Sequence, residues 1–373
     1  MAVGDKIAAS DYNTIQGKIA LVLGSGSGDY GYGQTVRSTS VAANSKISMT
    51  QWSNLRTDLL RARQHQIGGD QSALLTDPAI NLNVTASDVS NNRYTTTNTA
   101  TLAVGLAVTF NGTVFGGVVA GTTYYIAEVV NSTQFTISAS KGGAVFALTT
   151  ATGTMTIRFG GIKITEADRA AYNNLADTIT TNRLIVPPAG EISLDNIVSP
   201  QQRAPGWNGV VQQTVTVTFA DANAARYFFN SGSLIHFSSS LTGGSTTPDG
   251  KDDTWRVILS SMGTIVFGYS TTTANSGTGS SYGWSNLTST QVQIFQKNVT
   301  GTTYYPNKFV ILASKPTSSS LSFVLQWRDD NSPGGWAVDE GVGGTISSSV
   351  QARRPSTSNV TVATPSGTTS SIG

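Results

Sequence analysis

The 373-residue chain contains no cysteine and only two histidines, His65 and His236. The lack of cysteine excludes disulfide bonds and thiolate chemistry, and it argues against a disulfide-stapled secreted module. A zinc site or a Ser-His-Asp triad would have to use one of the two histidines. His65 is expected at a helix end and His236 inside a strand, and neither has a second ligand near it in sequence. We therefore expect no metal, no cofactor and no catalytic histidine.

Charge and long apolar runs are also scarce. The chain has 23 basic and 21 acidic residues, for a net charge of +2, which favours neither nucleic acid nor an anionic membrane as a partner. Apolar runs such as "GLAVTFNGTVFGGVVAG" are interrupted by polar residues, so no membrane span is predicted. The residues "MAVGDKIAAS" lack the pattern of a signal peptide, which leads us to expect synthesis and assembly in a cytoplasm.

A glycine-rich stretch, "VLGSGSGDYGYGQT", contains the spacing G-x-G-x-x-G at Gly26, Gly28 and Gly31. This spacing binds a dinucleotide only where it follows a β-strand and opens a helix. Here the preceding residues have helical periodicity, and no βαβ unit follows. The stretch is therefore predicted to be a flexible loop after a helix.

Three segments share one design: "KIAASDYNTIQGKIAL", "KISMTQWSNLRTDLL" and "KITEADRAAYNNLADTI". Each begins with Lys-Ile and then has an aromatic residue followed by aliphatic residues three and seven positions later, which places the three on one helical face. The triplets are Tyr12, Ile15 and Ile19; Trp52, Leu55 and Leu59; and Tyr172, Leu175 and Ile179. Ser10 is a candidate N-cap, Ser48 and Gln51 have the spacing of a capping box, and Thr165 and Asp168 nearly match it. The pattern predicts three short amphipathic helices.

The remaining sequence is typical of β structure. Residues 80–161 are rich in Thr, Val, Tyr and Phe, with strand-like runs such as "TTYYIAEVV" and "GTMTIRF". We expect a mainly β protein with a smaller helical N-terminal part, in which a β-sandwich or barrel module is inserted into an amphipathic-helix domain and is followed by a mostly antiparallel β domain. The predicted divisions are 1–79 with 162–185 (split helical domain), 80–161 (inserted module), 186–209 (linker), 210–345 (C-terminal β domain) and 346–373 (extended or disordered tail, or a tail ordered by a neighbouring chain).

Within residues 210–345 the patterns predict one short helix, "DANAARYFFNSG", among many strands. The predicted strands are "QQTVTVTF", "SLIHFSSSL", "TWRVILSS", "GTIVFGYST", "TQVQIFQKNV", "NKFVILAS" and "SLSFVLQWRD". Three acidic pairs in this part, Asp252-Asp253, Asp329-Asp330 and Asp339-Glu340, are expected in turns or on the surface. "DGKDD" and "DDNSPGG" lack the spacing of a calcium loop.

Aromatic residues supply the candidate contact sites. Tyr30 and Tyr32 stand in a loop with few other side chains, so their rings are expected to pack on a neighbouring subunit or on the local core. The candidate subunit-interface residues are Tyr12, Tyr30, Tyr32, Trp52 and Tyr172. The candidates for stacking on a glycan are Trp255, Trp284, Trp327 and Trp336, although core packing is the commoner use of tryptophan in a β domain.

Several stretches resemble virion structural proteins of tailed bacteriophages, particularly those of T4-like cyanobacterial phages. These stretches are "SDYNTIQGKIALVLGSGSGDYGYGQ", "MTQWSNLRTDLLRARQHQ", "VTVTFADANAARYFFNSGSLIHFSSSLTGGS" and "TWRVILSSMGTIVFG". The segment "VAGTTYYIAEVVNSTQFTIS" is similar to β modules of phage tail and fibre proteins. The resemblance implies a place in the virion and supplies no catalytic residues.

The leading hypothesis is a non-enzymatic structural subunit of a phage tail, neck or baseplate. Its expected partners are further copies of itself, as a trimer or hexamer by analogy with tail symmetry, and other virion proteins. The alternatives are a fibre protein that binds a host receptor or surface glycan, a capsid-decorating protein, and a polysaccharide-degrading tail enzyme. The last would need a carboxylate pair in a groove and shows no β-helix repeat.

Overall fold

A computed structural model describes residues 7–160, 162–301, 303–331 and 340–373. The protein is mainly β, with a helical N-terminal part, a closed six-strand barrel and further antiparallel sheets, which confirms the predicted fold class. By contact density the described chain forms two compact units. The first comprises residues 7–17, 37–59, 72–160 and 162–175, and the second comprises residues 18–36, 60–71 and the described residues from 176 onward.

The three helices predicted from the repeated pattern are present as α1 (Ala9–Leu23), α2 (Met49–Ile67) and α3 (Glu166–Thr181). The backbone N–H of Ser48 donates to Gln51 Oε1 (2.7 Å), and the N–H of Gln51 donates to Ser48 Oγ (3.2 Å), so the predicted capping box forms. Thr165 and Asp168 make the equivalent reciprocal pair at α3. Ser10 is not the N-cap of α1. The helix begins one residue earlier, and the Asp11 carboxylate accepts the Ala8 N–H instead.

The inserted module is a closed antiparallel barrel in the first unit, with the strand order β1-β2-β5-β4-β3-β6. Its strands are β1 (Ala79–Asp88), β2 (Arg93–Thr96), β3 (Ala107–Gly112), β4 (Thr123–Val129), β5 (Gln134–Ser138) and β6 (Ala151–Gly160). Inward side chains such as Tyr94, Phe110 and Phe135 are fully buried and contact one another, with ring centroids 5.2 and 5.7 Å from Tyr94. In a closed barrel every strand has a neighbour on both sides, so no sheet edge is left open.

The chain enters and leaves the barrel at the same place. Ala79, the first residue of β1, is the register partner of Gly160, the last residue of β6. Arg158 on β6 donates to Ser53 Oγ of α2 (2.9 Å) and to Asp77 (3.2 Å), so the same end is fixed to the start of α2. The barrel is therefore an insertion whose two ends are already joined by strand pairing.

Besides the C-terminal parts of α1, α2 and α3, the described residues of the second unit form two sheets and two further helices. The helices are α4 (Ala222–Asn230) and α5 (Lys251–Met262), and short 3₁₀ turns lie at Ser72–Leu74 in the first unit and Ala189–Glu191 in the second. The strands are β7 (Ile192–Asn196), β8 (Gln201–Arg203), β9 (Val210–Thr218), β10 (Leu234–Thr242), β11 (Ile265–Phe267), β12 (Thr272–Thr273), β13 (Val292–Asn298), β14 (Lys308–Thr317), β15 (Ser320–Arg328), β16 (Thr345–Pro355) and β17 (Ser366–Thr369). One sheet has the order β12-β11-β10-β16-β7, with β8 also paired to β16, and the other has the order β13-β14-β15-β9-β17. Phe237 of the first sheet packs against Phe323 of the second, with ring centroids 4.9 Å apart.

The short helix is confirmed as α4, and Asp221 caps it by accepting the Ala224 N–H at 2.7 Å. The prediction of a strand at "TWRVILSS" is wrong, because these residues lie in α5. The helix buries Trp255, Ile258 and Leu259 on one face. Asp253 and Arg256 are three residues apart, and Asp253 Oδ1 lies 3.0 Å from Arg256 Nη1. Ion pairs at this spacing stabilise a helix.

The structure also differs from the prediction at both ends of the C-terminal domain. Residues 192–196 and 201–203, expected in a linker, are strands paired with β16. The expected tail supplies β16 itself and β17, which pairs with β9. Gln212 and Gly373 exchange both backbone hydrogen bonds, and Ile372 is buried. The last residues are thus ordered by their own chain.

Because β1 and β6 pair where the chain enters and leaves, we expect the barrel to be removable. Register partners in an antiparallel pair have Cα atoms about 5 Å apart, which a short Gly-Ser linker can span. Replacing residues 80–159 with such a linker should leave the helical circular-dichroism signal per remaining helical residue unchanged and the unfolding transition cooperative. Loss of cooperative unfolding in this deletion would show that the barrel is an integral part of the fold.

Candidate functional site

The aromatic residues of the repeated helical pattern form one buried column in the first unit. Trp52 lies between Tyr12 and Tyr172, with ring centroids at 5.4 and 5.1 Å and ring planes nearly perpendicular. The Tyr12 hydroxyl donates to the Gln51 carbonyl (3.1 Å), and the Tyr172 hydroxyl donates to the Thr76 carbonyl (2.7 Å). Burial, with a smaller contribution from the Asp58 carboxylate, raises the pKa of Tyr12 to about 12. These three rings are core residues with almost no surface to offer a neighbouring subunit.

The glycine-rich loop follows α1, as predicted, and among residues 7–23 no strand precedes it. Tyr32 is buried in the second unit, where its hydroxyl donates to the Arg183 carbonyl (2.7 Å) and its ring meets the edge of His65 at 5.1 Å. Tyr30 is half-buried, and the Arg183 guanidinium lies 4.5 Å from its ring centroid. Among the five predicted interface aromatics, Tyr30 alone keeps substantial exposed surface, and a subunit contact there stays a prediction.

The tryptophans proposed to stack on a glycan are mostly inaccessible. Trp255 and Trp327 are fully buried, and the Trp327 indole N–H donates to Ser239 Oγ (3.0 Å). Trp284 is half-buried and stacks on Phe229, with ring planes 15° apart. Trp336 lies outside the described residues. A sugar ring needs a bare aromatic face, which Trp255 and Trp327 do not have.

The acidic pairs considered as catalytic or calcium-binding groups make hydrogen bonds and ion pairs within the chain. Asp252 accepts the backbone N–H groups of Ser245 and Gly343, both at 2.6 Å. Asp330 pairs with Lys308 and Arg328, both at 3.1 Å, whereas Asp329 is buried beside Lys251. The Glu340 backbone carbonyl accepts a hydrogen bond from Lys251 Nζ. Asp339, the preceding residue in the sequence, lies outside the described residues. Within the described ranges no group of three or more His, Asp or Glu residues could hold a metal ion.

A pocket of about 1250 Å³ in the first unit lies where the three helices begin. It is lined by residues of all three Lys-Ile segments, including Ile7, Ile47 and Ile164, with Trp52 at the side. This pocket was not predicted, although the repeated Lys-Ile was a signal for it. A repeat that precedes each helix start is brought together when the helix starts converge.

The end of the barrel opposite Ala79 and Gly160 is a second candidate surface. Three loops, 89–92, 113–122 and 139–150, meet there because each joins strands at that end, and we call them the distal loops. Hydrogen bonds fix them to one another: Leu148 N–H donates to Asn92 Oδ1 (2.9 Å), and Thr149 N–H donates to the Gly116 carbonyl (3.2 Å).

The distal loops expose apolar side chains. Val89, Val119 and Val145 are 50%, 62% and 46% exposed, respectively, and Lys141 is the single charged residue in the three loops. Exposed apolar side chains on loops that are held in place can form a contact surface for another protein. Most of the aromatic residues predicted to make contacts are therefore buried in the core. The exposed side chains of the distal loops are instead valines, a residue type that does not by itself indicate a contact site.

His65 gives a test of the buried core. It is fully buried, and because its Nε2 lies 3.1 Å from the Ser231 carbonyl, Nε2 carries the proton and Nδ1 is buried without a partner in the described chain. Burial lowers the pKa of His65 from 6.5 to about 4, against the opposing effect of the Ser231 carbonyl. Between these two pH values the unfolded chain binds a proton that the folded chain does not, so the free energy of unfolding falls as the pH falls.

We expect this histidine to remove about 3 kcal/mol from the free energy of unfolding between pH 7 and pH 4, with no further loss below that range. Urea unfolding of wild type and of His65→Gln across this range should show a weaker pH dependence in the variant. His236→Gln is the matched control, because burial also lowers the pKa of His236 but its side chain is only half-buried. Equal pH dependence in wild type and His65→Gln would contradict this account.

Two general findings bear on function. None of the helices that the structure describes is long and apolar enough to cross a membrane. Comparison with family models, with curated proteins and with solved structures finds no match for this chain.

Proposed function

We propose that this chain is a structural, non-enzymatic subunit of a tailed-bacteriophage virion, placed in the tail, neck or baseplate. The observation that carries the proposal is the inserted closed barrel, whose distal loops present exposed valines on a fixed framework. The resemblance of the helical segments, the barrel segment and the C-terminal β segment to phage virion proteins supplies the biological setting. The chain assembles with copies of itself and with other virion proteins.

The barrel suits a contact role for a physical reason. Closure gives each of the six strands a hydrogen-bonded neighbour on both sides, so a partner meets side chains and loops instead of an open strand edge. Contact through apolar loop residues is then selective, and uncontrolled edge-to-edge pairing is avoided. Both properties are needed by a subunit that reaches high local concentration during assembly.

The chemistry of the second unit agrees with a structural role. Asp252 accepts two backbone N–H groups, and Asp253 and Asp330 pair with arginine or lysine side chains. Arg226 likewise donates to the carbonyls of Ser25 and Gly28 in the glycine-rich loop (2.8 and 3.2 Å). Charged groups that are committed to internal hydrogen bonds stabilise the unit, and in a cysteine-free chain they contribute to the durability a particle needs outside the cell.

The direct test is immunogold electron microscopy of gradient-purified particles, with antibody raised against residues 210–345. Gold at the tail, neck or baseplate is the expected result. Gold spread over the head would make the chain a capsid-decorating protein. Protein found in infected-cell lysate but not on particles would overturn the virion proposal.

A variant test addresses the distal loops themselves. We expect Val119→Asp combined with Val145→Asp to reduce incorporation into particles at least tenfold, because a carboxylate in an apolar contact loses its hydration without gaining a partner. The matched control is Val104→Asp, which is 69% exposed in the loop between β2 and β3 at the opposite end of the barrel. Incorporation is measured by quantitative mass spectrometry of particles grown with each variant supplied in trans. Equal incorporation of both variants would show that the distal loops make no contact in the particle.

A further inference from the structure

Three polar side chains meet in the interior of the second unit, where a β domain usually places apolar side chains. Lys251 is the first residue of α5, Asn307 immediately precedes β14, and Asp329 immediately follows β15. Because Lys308 and Arg328 are register partners in these neighbouring strands, Asn307 and Asp329 stand next to each other at the ends of a strand pair. The side chains of Lys251 and Asp329 are 3% and 0% exposed, and Asn307 is fully buried.

The Asp329 carboxylate holds the other two side chains. Lys251 Nζ lies 2.7 Å from Oδ2, and Asn307 Nδ2 donates to Oδ1 at 2.5 Å. The other atom of the Asn307 amide, Oδ1, accepts the backbone N–H of Asn331 at 2.7 Å. Lys251 Nζ also donates to the Glu340 carbonyl, and the Tyr304 ring lies 6.0 Å from it. An amine, a side-chain amide and a shared carboxylate are therefore enclosed together.

A buried ion pair of this kind is an expensive way to stabilise a fold, because desolvation of two charges offsets most of their attraction. The arrangement has the parts of a different reaction. A desolvated amine is a nucleophile once it loses a proton, a carboxylate beside it can accept that proton, and an N–H on a carbonyl oxygen stabilises the negative charge that develops during attack. We propose that Lys251 and Asn307 form an intramolecular amide bond between Nζ and Cγ, with Asp329 as the proton relay.

The step balances without any further reagent. Nζ of the lysine ammonium gives a proton to Asp329, which leaves a neutral amine and a carboxylic acid in place of two buried charges. The amine attacks Asn307 Cγ, and the Asn331 N–H holds the developing oxyanion. The Nζ–Cγ bond forms and the Cγ–Nδ2 bond breaks. Nδ2 departs as ammonia with a proton from Asp329, and Asp329 takes back a proton from Nζ. Nothing is oxidised or reduced.

The product is a covalent closure of the second unit that does not use cysteine. It ties the start of α5 to the start of β14 and encloses the chain between residues 251 and 307, which includes β11, β12 and β13. Like a disulfide, such a bond restricts the unfolded chain, and unlike a disulfide it is insensitive to the redox state of its surroundings. This inference is independent of the proposed place in a virion.

Intact-mass spectrometry of the purified, denatured full-length protein tests the bond. The wild-type mass should fall below the mass calculated from the sequence by one ammonia, about 17 Da. A wild-type mass equal to the calculated value overturns the proposal. Because this measurement needs no variant, a variant that fails to fold does not affect it.

Peptide mapping distinguishes the bond from loss of ammonia at an Asn-Gly sequence such as Asn208-Gly209, which gives the same mass. Trypsin does not cut after a lysine whose Nζ is acylated, so the digest should contain one branched peptide that joins residues 227–256 to residues 298–308. Mass loss found in an unbranched peptide overturns the proposal. Lys251→Arg should restore the full calculated mass.

The matched control is Lys308→Arg, next in sequence to Asn307 and half-buried beside Asp330. This variant should keep the ammonia loss, and full mass in it would contradict the assignment of Lys251 as the reacting amine. Asp329→Asn should slow bond formation strongly without removing either reacting side chain, which separates proton relay from simple proximity. Unchanged bond formation in a folded Asp329→Asn protein would exclude the relay role.

Discussion

The second unit depends on the pairing of one strand that comes late in the chain. β16 pairs with β10 along nine register positions and, on its other side, with β7 and β8. Within the described part of the chain, strands β7 and β8 pair in that sheet with β16 alone, so a chain that ended before residue 345 would lose these pairings. The core face of this sheet also includes Ile346 and Val350 of β16. The order of this sheet and the position of the C-terminal residues thus depend on a contact between segments far apart in sequence, which has a high loop-closure cost.

The failure to predict this strand has a physical cause. Ile346, Ser348, Val350 and Ala352 are buried and alternate with half-buried residues, so the period of two was present. The buried Ser348 and the nearby arginines made the segment look polar. The linker was misjudged for the same reason, since short strands such as β8 acquire their stability from a partner that local patterns do not reveal. "TWRVILSS" failed differently, because a short apolar run fits either a helix or a strand and its length does not decide between them.

The helices and the barrel were accessible from sequence because their signals are local. Capping side chains lie three residues from the groups they bond, and the "TTYYIAEVV" and "TQFTIS" runs form a hairpin with a short connection.

The candidate contact surface could not be predicted from local sequence signals. Large aromatic residues are the usual signal for an interface, yet Tyr12, Trp52 and Tyr172 fill the space where three helices converge. Valine on a loop gives no such signal, and the exposure of Val119 follows only from the way barrel closure gathers the distal loops. The Lys251, Asn307 and Asp329 cluster was equally hidden, because strand register brings together residues from three separate segments.

The pairing of Ala79 with Gly160 has a consequence for how such a chain changes over generations. Two crossover points that are adjacent in space allow one module to be exchanged for another by recombination while the flanking helices keep their caps and their aromatic column. Selection on the surface that the barrel presents can then act on the barrel alone, and selection on the stability of the helical core can act on the remaining chain. The same property makes this position a natural attachment point for a foreign domain displayed on the protein.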